Sequence, residues 1–427
     1  MTRFAPADSL WAATAPQPPK TLPLEASAKA DVAIIGAGFT GLSAALHLAQ
    51  KGVSVIVLEA MEIGHGGSGR NKGLVNAGMW VLPDDLPATL GAPHGERLLN
   101  LLGDAPSLVY ELVARHHMQC EAIRNGTLHL AADKSGLEQL RIRAAQWQSR
   151  QAPVELLGAG ETARLTGTNA YAGALLDRRA GTIQPLAYAR ELARAAIEAG
   201  ATVHTLTPAL EVRRKGTDWC VKTPAGDVTA HKIIAATNAY TTNLWPELRA
   251  ELVFLPYFNF ATEPLPASLG NTILPEGHGA WDTKKVLTSF RKDQTGRFIF
   301  GSVGMLEGMD ARVHALWARR RMEKLFPQLK GIGFQKSWYG MIGMTDDHLP
   351  RFHQLDENIF GFSGYNGRGI APGTVFGRVL ADFATDRISA AELPLPVTEP
   401  RPQKLRNIQE AGIRHGASAL HLMRSFI

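Results

Sequence analysis

Cysteine is almost missing from this chain. Cys120 and Cys220 are the only two among 427 residues, which excludes a disulfide framework and any four-cysteine metal or iron–sulfur centre. Both are expected to be reduced and buried, and no metal site is expected. Long apolar runs are missing too: none reaches the roughly eighteen residues that span a bilayer, although peripheral membrane contact stays open. The first thirty residues hold Trp11, several prolines before Leu24, and Glu25, and they lack the apolar stretch of a secretory signal. A cytoplasmic protein is the resulting expectation. Internal repeats and low-complexity tracts are also absent.

Acidic excess is absent as well. The formal net charge is +6 and the pI about 9.3. The basic runs Arg213-Arg214-Lys215 and Arg319-Arg320-Arg321 are not interleaved with aromatic stacking residues and belong to no nucleic-acid module. They read as solvated faces, so no nucleic-acid partner is expected, and the basicity favours anionic small molecules.

What is present is concentrated between Asp31 and Glu59, DVAIIGAGFTGLSAALHLAQKGVSVIVLE. Val32 to Ile35 read as a short apolar strand, and Gly36, Gly38 and Gly41 give G-x-G-x-x-G at the turn. Phe39 to Gln50 read as a helix with Leu42, Ala45, Leu46 and Leu48 on its buried side, ended by Gly52. Val53 to Leu58 is a second buried strand, and Glu59 closes it eighteen residues after Gly41. Gly36 permits the tight turn, Gly38 lets backbone approach a pyrophosphate, and Gly41 lets helix pack on strand. Glu59 accepts hydrogen bonds from the adenosine ribose. The unit binds an adenine dinucleotide but does not choose between NAD and FAD.

The rest of the chain alternates helix and strand patterns, too long for one small core. A glycine-dense loop spans Gly64 to Gly73, and Asp84 to His117 read as largely helical. Further helices are expected over Leu137 to Gln151, Pro185 to Ala199, Ala311 to Leu325 and Thr374 to Ala384, the last preceded by a loop from Gly364 to Gly373. Val203 to Val212, Trp219 to Thr223 and Asp227 to Ala236 read as a three-strand antiparallel meander. Glu251 to Glu263, Val286 to Arg291 and Arg297 to Val303 read as strands of a second sheet, and Ile359 to Phe362 as one more strand.

Four motifs now fall into a known order: the nucleotide unit, the loop Gly64-His65-Gly66-Gly67-Ser68-Gly69-Arg70-Asn71, the strand end Ala235-Ala236-Thr237-Asn238-Ala239-Tyr240, and the run Gly361-Phe362-Ser363-Gly364-Tyr365-Asn366-Gly367-Arg368-Gly369. In that order the chain resembles the superfamily of FAD-dependent D-amino-acid, glycine and sarcosine oxidases, nearest the branch of γ-glutamylputrescine oxidoreductase and bacterial L-pipecolate oxidase. The resemblance implies an α/β (α+β composite) fold: a Rossmann-like FAD-binding domain assembled from discontinuous segments, plus an antiparallel-sheet substrate domain. The FAD-binding domain would take 1–95, 152–248 and 335–400, the substrate domain 96–151 and 249–334, and 401–427 would form a C-terminal helical extension.

The same resemblance implies the site. Gly36, Gly38, Phe39, Thr40, Gly41, Glu59, Ala60, Ala209, Thr237 and Asn238 are expected at the cofactor. Ser68, Gly69, Arg70 and Asn71 would lie against flavin and pyrophosphate. Gly364, Asn366, Gly367, Arg368, Gly369 and Ile370 would meet the flavin pyrimidine, where N–H groups and a helix N-terminus stabilise negative charge on the reduced ring. Ala371 stands where sarcosine oxidases carry a carboxylate-binding lysine, which counts against sarcosine and leaves a carboxylate anchor to Arg368, Lys72 or Arg291. No cysteine lies beyond Cys220, so FAD is expected to be noncovalent. Lys72 departs from the small residue expected in its loop: it would serve the reduced ring, oxygen or a substrate carboxylate, or else be an exposed lysine. Tyr339 is a candidate to reach the substrate, and His348 reads as a turn histidine. Tyr257, Phe258 and Phe260 either wall the pocket or pack the sheet.

The implied reaction is oxidation of a carbon–nitrogen bond, with hydride passing from the α-carbon of a neutral amine to flavin N5 and an imine as product. The expected partners are a small amine or amino acid, L-pipecolate first and a γ-glutamylputrescine-type polyamine second, and oxygen, a quinone or an electron-transfer acceptor. Competing readings are a nicotinamide-linked reductase, a flavin monooxygenase, or a non-catalytic FAD subunit of a larger complex.

Overall fold

The computed structural model describes residues 9–241 and 243–424. Residues 1–8 and 425–427 of the expected outer segments lie outside the described residues.

Strand Ala28–Ile35 runs through a nine-stranded sheet between parallel partners Val55–Leu58 and Asp227–Ala235. Ile359–Ser363 and Thr202–His204 extend it, again in parallel. Its alternating side chains explain the unbroken apolar run in sequence. Val32 and Ile34 enter a core with helices Phe39–Ala49, Pro185–Glu198 and Ile370–Ala384. Ala33 and Ile35 face a second core with Trp219, Val221 and Val228. A parallel strand covered on both sides has no polar face to show. The helices approach closely because glycine permits it: a Cβ at Gly41 would lie 2.0 Å from the Gly36 carbonyl oxygen, and one at Gly377 2.5 Å from Ser43 Cβ.

The second sheet has eight strands, in the order Phe334–Met344, Val253–Pro264, Arg297–Val303, Thr288–Lys292, Gly279–Asp282, Thr127–Ala131, Gly173–Asp177 and Val154–Gly158. All neighbours are antiparallel except Gly279–Asp282 and Thr127–Ala131. Its outer face is phenylalanine-rich. Phe258, Phe260, Phe290, Phe298 and Phe300 pack with Trp317 and Met322 of helix Gly308–Leu325. The C-terminal helix Arg406–Arg424 docks on the same side, where His421 stacks on Trp317 at 3.7 Å and its Nδ1 lies 2.8 Å from His314 Nδ1. Side chains alternate along a strand, so Tyr257, Asn259, Arg291, Gly301 and Trp338 belong to the inner face, toward the nucleotide-binding half.

Several expectations need correction. Strands Val154–Gly158 and Gly173–Asp177 pair within the second sheet, so 152–248 does not belong wholly to the cofactor half; neither does 335–400, because Phe334–Met344 edges the second sheet. The reading of Val203 to Val212 as one strand fails. Leu206 takes φ 52° and Pro208 lacks an N–H, so the chain leaves the ladder after His204 and resumes at Glu211. Helix Ile370–Ala384 begins four residues before the expected Thr374, since Pro372 sits in a first turn that needs no N–H from it. The 84–117 region is helical but broken at Gly91 and Asp104.

Candidate active site

The first half of the site is a turn that only glycine can make. Gly36 has φ 109°, and a Cβ there would come 2.9 Å from the Ala236 carbonyl oxygen at the end of strand Asp227–Ala235. A Cβ at Gly38 would meet Ser68 Oγ at 2.9 Å. That hydroxyl accepts the Phe39 N–H at 3.0 Å, at the mouth of helix Phe39–Ala49. Gly38 provides no side-chain cap, so the helix end is a ready anion site. Glu59 stands beside it. Its Oε2 accepts the Ala37 N–H at 2.8 Å and its Oε1 the Met61 N–H at 2.9 Å. Burial raises the Glu59 pKa against those donors. Ala60 is exposed next to it, and Ala209 packs at the edge of the core that holds Ile35 and Leu58.

The second half is the loop before helix Ile370–Ala384. Gly364 and Gly367 take φ 75° and 83°, and Gly369 is an N-cap without a side chain to satisfy the first turn. The Asn366 side chain holds this loop: Nδ2 donates to the Gly364 carbonyl at 2.6 Å and Oδ1 accepts the Thr345 N–H at 2.8 Å. Asn238, itself at φ 41°, accepts the Gly364 N–H on Oδ1 at 2.9 Å. The neighbouring Thr237 hydroxyl pairs with Thr241 at 2.6 Å. Thr40 Oγ1 and the Tyr365 hydroxyl, 2.7 Å apart, bind the two helix starts together. Two helix starts whose N-cap glycines carry no side chain, a terminal carboxylate and the tight glycine turn at Gly36 fit a flavin dinucleotide.

Facing this cradle is the inner wall. Loop residues Arg70 and Lys72 reach it, with the Arg70 carbonyl accepting Asn259 Nδ2 at 3.2 Å and Trp338 Nε1 at 3.0 Å. The Arg70 guanidinium donates through Nε to the His65 carbonyl at 2.7 Å. The Asn71 amide donates to the Gly67 and Ser68 carbonyls and accepts the Gly73 N–H, which shapes the loop. Lys72 is buried, and its Nζ has no hydrogen-bond partner among the described residues. A Cβ at Gly301 would lie 2.8 Å from both Lys72 Nζ and Asn259 Oδ1, an acceptor that is also unpartnered. Burial, then repulsion from Arg291, holds the Lys72 amine well below the ordinary lysine range.

Arg368 is buried too. Its guanidinium lies over the rings of Trp80 (4.8 Å) and Trp281 (5.7 Å) and donates to the Ala77 carbonyl at 2.8 Å. Its Nε and the Trp281 Nε1 have no partner among the described residues. Burial, reinforced by Arg143, lowers its pKa to about 9. Trp281 stacks on His129 at 4.9 Å, and Tyr257 and Ser289 share a hydrogen bond of 2.7 Å on the same wall.

Two expected placements change, and one open alternative is decided. The Tyr339 side chain alternates to the outer face, opposite Trp338, and its hydroxyl donates to Glu307; it does not reach the site. Arg291 is committed to the Gly73, Ile183 and Lys292 carbonyls and is no carboxylate anchor. Phe258 and Phe260 belong to the outer core, leaving Tyr257 on the wall. His348 is exposed at φ 61° in a turn, as read from the sequence. The wall residues Trp80, His129, Asn259, Trp281 and Ser289 were not singled out by sequence. Asn259, a lone amide between Phe258 and Phe260, was the one available signal.

A family model described as FAD dependent oxidoreductase matches residues 31–383. The chain is 32% identical over 363 residues to gamma-glutamylputrescine oxidoreductase of Escherichia coli (strain K12), covering 84% of each chain. It is 29% identical over 393 residues to probable oxidoreductase OrdL of Rhizobium meliloti (strain 1021), covering 91% of each. Among solved structures, glycine oxidase from Geobacillus kaustophilus superposes with a TM-score of 0.69 at 21% identity, over 85% of this chain and 96% of that one.

Proposed function

The chain belongs to the FAD-dependent oxidoreductase family, and from that premise we propose that it oxidises the carbon–nitrogen bond of an amine or amino acid that carries a carboxylate. The observation that supports the carboxylate is Arg368, a buried guanidinium between two indoles with an unpartnered Nε. A buried cation without an anion is costly, and an arriving carboxylate completes it.

FAD, when bound, supplies the two-electron acceptor; the chain supplies position, charge and dryness. The Gly36–Gly41 turn and the start of helix Phe39–Ala49 would hold the pyrophosphate, and Glu59 the ribose. The N–H groups at the start of helix Ile370–Ala384 would stabilise negative charge in the ring system. Lys72 offers an amine whose charged form burial disfavours, and it serves as proton acceptor for an ammonium substrate. The buried rings of Trp281 and Trp338 lie on the same wall and keep it dry.

Two substrates fit this description. The resemblance to gamma-glutamylputrescine oxidoreductase favours a polyamine conjugate that retains an α-carboxylate. The paired indoles beside Arg368 favour a compact ring such as L-pipecolate. The test is anaerobic loss of the flavin absorbance on mixing with L-pipecolate, γ-glutamylputrescine, N-methyl and primary amino acids, and free putrescine. Carboxylate-bearing amines should bleach the flavin and putrescine should not. Bleaching by none of them would sink the reading.

A further inference from the structure

The C-terminal helix Arg406–Arg424 spends Glu410 and Arg414 on ion pairs with neighbouring elements. Glu410 pairs with Arg249 at 2.8 Å and Arg414 with Asp310 at 3.2 Å, while Ser418 donates to Asp310 at 2.9 Å. Its exposed positions are Asn407, Ile408, Gln409, Ala411, Gly412, His415, Gly416, Ala419, Leu422 and Met423, without one acidic side chain. Ile408 is 66% and Met423 60% exposed. Helix Gly308–Leu325 lies alongside, joined through His314, Trp317 and His421. Its solvent stripe holds Met309 (75% exposed) and Leu316 among the exposed cations Arg312, Arg319, Arg320 and Lys324. The acidic neighbours are Glu307, Glu323, which pairs with Arg319 at 3.4 Å, and Asp310, which is taken up by Arg414.

We propose that this two-helix face docks on an anionic lipid surface, with Leu316, Leu422 and Met423 entering the interface and Arg312, Arg319 and Arg320 meeting headgroup phosphates. A water-facing helix normally keeps its apolar residues inward; the C-terminal helix buries Ala417 and His421 but leaves Ile408, Leu422 and Met423 exposed as well. Exposed apolar residues flanked by arginine are the pattern of an interfacial helix, whose binding combines apolar burial with attraction to anionic lipid. Arg319 and Arg320 of the basic run gain a purpose that the catalytic site does not give them, while Arg321 turns toward Tyr171 and Asp282. The face lies on the outer side of the second sheet, so docking leaves the inner wall untouched.

The test uses the full-length, flavin-loaded protein and vesicles of phosphatidylcholine with and without phosphatidylglycerol, read by co-sedimentation. Binding is expected to the mixed vesicles at low salt, to weaken steeply as salt rises, and to be weak to phosphatidylcholine alone. Arg312→Glu with Arg319→Glu should reduce partitioning by at least about 30-fold, and Leu422→Ser with Met423→Ser should reduce it independently. All four positions are exposed, so thermal unfolding and flavin bleaching by substrate should stay unchanged. Equal binding by wild type and the arginine variant overturns the proposal, as does failure of wild type to bind mixed vesicles. A salt-insensitive dimer, seen by light scattering and lost in Leu422→Ser with Met423→Ser, overturns it in favour of a second copy of the chain.

Discussion

In the cradle made by residues 31–59 and Ser68, polar groups find partners at home: both Glu59 oxygens accept backbone N–H groups, and the Ser68 hydroxyl accepts that of Phe39. On the opposite wall Lys72 Nζ, Asn259 Oδ1, Trp281 Nε1 and Arg368 Nε are buried without hydrogen-bond partners among the described residues. Buried polar groups are ordinarily satisfied. The cradle therefore tolerates the free state, whereas the wall is built for a ligand that arrives later. One half stores shape and the other stores unmet hydrogen bonds.

The comparison breaks most severely at Gly41. Gly41→Val puts side chain where the Gly36 carbonyl already lies, 2.0 Å from the Cβ position, and should abolish flavin retention, read as visible absorbance per protein after gel filtration. A variant with full flavin content would show that the turn is not the anchor.

Lys72→Met sharpens the contrast from the other side. Removing an unpartnered buried amine should stabilise the fold by about 1–3 kcal/mol, while kcat/KM falls and its acid limb flattens. The Lys72 pKa is lowered in the fold, so the unfolded chain binds more protons. The pH-dependent part of the gain is then largest at low pH and vanishes above the free lysine value of 10.5. Calorimetry across pH checks the sign; a loss of stability would mean that Lys72 is satisfied.

Glu59→Gln should weaken FAD binding by about tenfold, the scale of one charge-assisted hydrogen bond. Because burial raises the Glu59 pKa, wild-type affinity should also decline toward acid pH, and the variant should lose that dependence. Equilibrium dialysis of the apoprotein measures both.

The smallest effect concerns the C-terminal helix. The His314 pKa is lowered by burial against the pull of Asp310, and its contact with His421 needs one neutral ring. Stability from this pair is present above about pH 6.5, the free histidine value, and is lost as pH falls. Limited trypsin cleavage near Arg414 should rise in that window and stay flat in His314→Phe.

What could be read from sequence divides along the same line. The cradle was legible because its parts are contiguous: the glycine spacing, one amphipathic helix and the terminal acid lie within Asp31 to Glu59. The flavin loop was legible as a motif but not as structure, since Gly369 and Gly373 look like loop residues. In the fold a Cβ at Gly373 would lie 3.2 Å from Phe39 Cβ, so glycine there eases the approach of the two helices. Of the wall, Lys72 and Arg368 were legible from their motifs, but His129, Trp281 and Asn259 are brought into one row only by the register of a sheet with a crossover, and one step of alternation decides that Trp338 faces in and Tyr339 out.

The central claim, that the wall waits for a carboxylate at Arg368, is tested by flavin reduction with a substrate and its methyl ester in wild type and in Arg368→Met. Wild type should prefer the free acid by about 100-fold or more, and the variant should lose that preference while reducing flavin with the ester at the wild-type rate. An undiminished preference in Arg368→Met would contradict the account.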